Sequence, residues 1–189
     1  MKALHIAATG MLAQQLNVEV ISHNIANMRT TGYKRQRAEF QDLLYQNLRR
    51  VGANSSDSGT LVPAGIQVGL GVRTASTYRV MGQGDLQSTE KSLDVAIRGD
   101  GLFQVQMPDG QTAYTRAGAF ELNADGLLVT LDGYQVQPGI TIPQGAREVA
   151  INSQGQVEVF TDTSTTSQIV GQIELARFVN QAGLEAIGD

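Results

Sequence analysis

At 189 residues the chain is long enough to bury a core, in one domain or two. A formal net charge of −4 and a pI near 5.1 leave no basic footprint for nucleic acid, and no apolar run approaches the roughly 18–20 residues of a membrane span. Cysteine is absent, which excludes disulfides and thiol catalysis but leaves the compartment open.

In chain order, the first element is a helix. Leu4, Met11, Val18 and Ile25 recur every seven residues, with Ala7, Ala8 and Ile21 beside them. The stripe is as narrow as a coiled-coil seam, with Gln14 and Gln15 interrupting it, and the assembly seam is assigned to Leu4, Ala8, Met11, Val18, Ile21 and Ile25. A helix of about 25 residues would span roughly 37 Å. Ordering costs on the order of 1–2 kcal/mol per residue, against about five large apolar side chains worth roughly 1.5–3 kcal/mol each when buried. With no second heptad helix in the chain and no expected contact to residues 72–189, the helix is expected to be largely unfolded in the monomer and to order on assembly. It ends in Ser22-His23-Asn24-Ile25-Ala26-Asn27. Asn27 suits a left-handed terminus and Gly32 turns the chain, before the basic Lys34-Arg35. This N-terminus is no secretory signal: Lys2 is its only early charge, and His5, Thr9 and Gly10 interrupt the apolar residues.

Residues 34–71 follow as a connecting region. Phe40, Leu43, Leu44 and Leu48 fall at helical spacing and predict a short amphipathic helix closing on Arg49-Arg50. From Val51 to about Gly71 the composition turns to Gly, Ser, Asn and Pro, predicting a flexible Gly/Ser-rich insertion. From Val72 the signal is β. Runs at 93–97 and 102–106 straddle Gly99-Asp100-Gly101, and Asp109-Gly110, Asp125-Gly126 and Asp132-Gly133 separate further short runs at 112–116, 127–131 and 134–136. More strands fit 148–151, 156–160 and 169–178. The fold class is mainly β with an N-terminal α-helix: an antiparallel β domain over 72–189 plus a long assembly helix of coiled-coil type over 1–33.

Catalytic chemistry finds little footing. His5 and His23 stand five helical turns apart, roughly 27 Å, too far to share a metal or a proton. Glu121, Asn123, Asp125, Gly126 and Asp132 imitate a calcium loop, but both end ligands are the wrong acid and the segment reads as a hairpin turn. Gly69-Leu70-Gly71 and Gly99-Asp100-Gly101 complete no phosphate loop, and carboxylate pairs such as Glu121 and Asp125 lack an aromatic platform for sugar. Lys34, Arg35, Arg37, Arg49 and Arg50 are interleaved with Glu39 and Asp42, as on a solvated or subunit-bridging element. No residue is assigned a catalytic, cofactor or metal role, and the chain is read as no enzyme.

Several separated motifs carry a resemblance. Ala8-Thr9-Gly10-Met11-Leu12-Ala13-Gln14-Gln15, then Asn24-Ile25-Ala26-Asn27 and Thr31-Gly32-Tyr33-Lys34, resemble the N-terminal signature of bacterial flagellar rod and hook proteins. Leu93 to Gly101, Phe103 and Tyr114-Thr115-Arg116-Ala117-Gly118 resemble the β domain of the same family. The signature turn is accordingly Asn24, Asn27, Thr31, Gly32, Tyr33 and Lys34. The resemblance implies a subunit of a helical tube in the basal body, spanning the periplasm, and exported through the flagellar type III apparatus without a cleaved signal. It also implies partners: further copies of itself, proximal rod proteins, the hook protein and the P and L ring proteins. The insertion at 51–71 resembles one that marks distal rod members and that the hook protein lacks. In the family a C-terminal heptad helix pairs with the first helix, and the chain is expected to lack it. The rivals are a proximal rod or hook paralogue and, more remotely, a β-rich binding module.

Overall fold

The computed structural model describes residues 1–52, 64–161 and 164–188. The chain divides into two compact units, one of Met1–Met28 with Arg35–Val80, the other of Arg29–Lys34 with Met81–Asp189.

In the first unit, α1 (Lys2–Ala26) accompanies a two-stranded antiparallel ribbon. Strand β1 (Gln36–Asp42) turns into β2 (Tyr45–Arg49), and β3 (Ile66–Gly69) returns into β4 (Val72–Arg79). β1 pairs with β4, from Gln36 opposite Arg79 to Asp42 opposite Val72, and β2 pairs with β3. Leu43 N donates to Gly71 O (2.9 Å) and Leu70 N to Leu44 O (3.1 Å), so the two pairs join into one ribbon.

Three expectations are corrected here. The short helix at 34–50 is instead β1 and β2. Gln36, Ala38 and Phe40 point inward while Arg37, Glu39 and Gln41 face solvent, a period of two that the 40-43-44-48 spacing masks. The β architecture thus begins before Val72. The helix is not without support in its own chain either, since it packs on β1 and β4. The Gly/Ser-rich stretch at 53–63 lies outside the described residues.

The second unit holds two antiparallel sheets. β5 (Leu102–Gln106), β6 (Thr112–Thr115), β7 (Phe120–Leu122), β8 (Leu128–Thr130) and β9 (Gln135–Val136) form one of them, completed by a late strand. β10 (Ala146–Ile151), β11 (Gln156–Thr161) and β12 (Ser164–Gln172) form the other, and β13 (Leu175–Ala176) returns to pair with β5 in the first. The Asp-Gly turns at 109–110, 125–126 and 132–133 fall between β5 and β6, β7 and β8, and β8 and β9, as their sequence predicts. Asn123 Oδ1 accepts from the amides of Asp125 and Leu127 (3.0 and 2.9 Å), so the calcium-loop mimic is an Asx-type hairpin turn.

Both sheets feed one core, including Phe103, Phe120, Leu128, Val136, Val157 and Ile173. Phe103 meets Phe120 edge to face at 5.0 Å, worth about 0.5–1.5 kcal/mol beyond burial. The strand expected at 93–97 is absent: only Asp94 bridges, to Ala119. Val95 N donates to Gly118 O (2.8 Å) and Ile97 enters the core, so the run lies extended without a ladder.

Candidate functional site: an open helix face and a seated turn

α1 is apolar on two sides. Inward lie Ile6, Thr9, Ala13, Leu16, Val20 and Asn24, at spacings of three and four; Ala13 and Val20 are buried. Thr9 and Ala13 are small, so the helix can lie close to the ribbon there. Gly71 marks the nearest approach: at φ +118°, its missing Cβ would collide with Thr9 Oγ1. The predicted seam occupies the other side. Leu4, Met11, Val18, Ile21 and Ile25 are exposed, Val18 by 61% and Ile25 by 66%, and Ala8 at the margin is half-buried. The exposed residues among them form a continuous apolar stripe along the helix.

Asn24 fixes the helix against the ribbon. Its Nδ2 donates to Gln36 O and its Oδ1 accepts from Gln36 N, both at 2.8 Å, so one carboxamide imitates a neighbouring strand. Asn24→Ala should lose about 1–3 kcal/mol. Thermal unfolding, with amide exchange at Gln36, measures it; unchanged protection there would refute the role. Asn27 caps the helix with φ −97°, not in the left-handed region expected of it, and donates from Nδ2 to His23 O (3.0 Å). His5 and His23 lie on the same helix, far apart and both exposed.

Beyond β1 and β4 the ribbon continues as an arm made of β2 and β3. Every β2 residue is exposed, and Leu44, Tyr45, Leu48, Val51, Ile66 and Val68 are all large exposed hydrophobic residues. Arg49 and Arg50 are the charges along 44–52 and 64–70, with no acid beside them.

The remaining signature residues meet in the second unit. Residues 29–34 turn at Gly32, with φ +75°, so tightly against the chain that a Cβ there would lie 2.5 Å from Ala117 N and 2.8 Å from Arg116 C. Lys34 Nζ donates to Gly82 O (2.8 Å). Burial holds the Lys34 ammonium below its ordinary pKa, and the charge of Arg116 adds to this. Burial raises the Tyr33 hydroxyl. Arg116 donates to the carbonyls of Ile97, Gly99 and Gly101 and to Gln83 Oε1. Burial lowers its pKa, while Asp100 pulls the other way. Thr31-Gly32-Tyr33-Lys34, Leu93 to Gly101 and Tyr114 to Gly118, apart in sequence, are therefore one place in the fold. Arg116 and Gln83 were not foreseen as its centre. Thr31 is exposed and stands at its margin.

Comparisons with known proteins agree with this layout. A family profile described as "Flagella basal body rod protein" matches residues 4–34, and one described as "Flagellar hook protein FlgE/F/G D1 domain" matches residues 96–159. The chain is 58% identical over 189 residues to the flagellar basal-body rod protein FlgG of Caulobacter vibrioides, covering all of this chain and 72% of that protein. It is 51% identical to FlgG of Agrobacterium fabrum over the same shares of both. Similarity to the flagellar hook protein FlgE of Helicobacter mustelae, 40% over 138 residues, covers 72% of this chain but 30% of the hook protein. With an N-terminal helix, a mainly antiparallel β body and relatives matched along its whole length, the chain belongs to the FlgG family of flagellar basal-body rod proteins, structural components and not enzymes.

Proposed function

We propose that the chain is a distal-rod subunit that polymerises, head to tail and without closure, into a helical tube passing motor torque to the hook. The exposed stripe from Leu4 to Ile25 carries this reading, because a large apolar face on a helix already packed on its other side calls for a neighbour. The arm supports an assembling subunit, since its exposed Leu44, Tyr45, Leu48, Ile66 and Val68 gain burial between neighbours. Charge supports it too. The first unit has seven basic and four acidic residues, the second seven basic and fourteen acidic, so copies offer each other complementary surfaces. Further partners on this reading are the proximal rod proteins, the hook protein, the P and L ring proteins and the type III export apparatus. The site is the periplasmic span of the rod. Matches over the full chain to rod proteins favour a rod over a hook subunit.

The absence of cysteine makes the test clean. A single Val18→Cys chain should react with a maleimide when soluble and be protected in isolated basal bodies. Equal labelling in both would overturn the reading.

A further inference from the structure

The guanidinium of Arg116 draws three carbonyls of one short loop, those of Ile97, Gly99 and Gly101, onto a single cation. Carbonyl oxygens pointed at one spot repel one another, and the several N–H groups of a guanidinium, held in a fixed fork, offset this. Gln83 Oε1 joins the cluster, accepting from Arg116 Nη2 (3.0 Å) and from Gly99 N (3.1 Å). The backbone at Arg116 and Ala117 is also the floor on which Gly32 rests, and Lys34 reaches Gly82, the neighbour of Gln83. Two cations thus hold one wall, Lys34 from the turn and Arg116 from the floor.

We propose that residues 29–34 form a plug seated in a socket whose shape Arg116 maintains, so that seating the turn and closing the 97–101 loop are one coupled event. Plug, floor and loop all belong to the second unit. This inference concerns the soluble chain and stands apart from the rod assignment.

Coupling must be reciprocal, which gives the test two directions. Amide exchange is followed in the full soluble chain at Tyr33 for the turn and Gly99 for the loop. Arg116→Met keeps the bulk and removes the donors; it should speed exchange at both amides tenfold or more while Phe103 and Val129 stay protected. Gly32→Ala touches none of the loop, yet should speed Gly99 by threefold or more. A Gly32→Ala chain with Gly99 exchange unaltered would overturn the proposal, as would Arg116→Met accelerating Gly99 alone. Should Arg116→Met fail to fold, Arg116→Lys decides the same question, since it keeps the charge but reaches fewer carbonyls. Acceleration of both amides supports the coupling and acceleration of Gly99 alone refutes it. Motility, measured separately, tests the rod assignment and not the coupling.

Discussion

Gly118→Val should leave a chain whose second unit does not fold. The missing Cβ of Gly118 points at Val95, where an added carbon would fall inside the van der Waals envelope of the carbonyl oxygen and 2.8 Å from the carbonyl carbon. On its other side Phe103 Cε2 stands 3.1 Å away, and Phe103 is among the most buried residues of the core. A flexible neighbour could give way; here the neighbours are a backbone carbonyl and a packed ring. The same carbon would break the Val95 N to Gly118 O bond that holds the ladderless 93–97 run. Overpacking ordinarily costs 1–3 kcal/mol, and with the backbone displaced we expect more than about 4 kcal/mol, a large part of a domain's 5–15 kcal/mol. Near-ultraviolet circular dichroism of the tyrosines during urea unfolding measures it. A midpoint close to that of the unchanged protein would show that this packing is wrongly described.

The second large effect is on assembly, not on the fold. Val18→Asp places a charge on the exposed face of α1, where the soluble chain should feel it by less than about 0.5 kcal/mol. In a packed seam the same unpaired charge costs several kcal/mol per subunit, enough to abolish polymerisation. Val20→Asp, two residues on, is the control of opposite sign. Val20 is 8% exposed and faces the ribbon, so its replacement should destabilise the soluble chain by about 3 kcal/mol or more. Sedimentation and electron microscopy report the polymer, and thermal unfolding reports the monomer. Normal rods from Val18→Asp would remove the seam from the account.

Much of this was legible in the residues because the signals were local. The Asp-Gly turns announce their hairpins within a few positions, and a heptad stripe of large side chains marks the exposed side of α1. What stayed hidden is non-local or small. β1 answers to β4, far downstream, and its alternation at 36–41 is short enough for helical spacing to mask. The inward stripe of α1 mixes Ile6, Leu16 and Val20 with Thr9, Ala13 and Asn24, so its apolar repeat is broken by small and polar residues and is less conspicuous than the outward heptad. Through that stripe the helix packs on β1 and β4, a support that the seam residues do not reveal. Arg116 is harder still to foresee, since its partners are mostly backbone carbonyls, which have no signature in sequence.

Asn24 has a last consequence, for phase. By clasping both backbone groups of Gln36 it indexes the helix rotationally, as a key does a shaft. Each residue advances an α-helix by about 100°, so one residue inserted between Ala13 and Val20 would turn everything before it by that angle. The large side chains from Leu4 to Met11 would swing toward the ribbon, and Ile6 and Thr9 out of their seats. Substitutions along α1 alter its surface one point at a time, whereas a single insertion puts half the helix out of step with the other half.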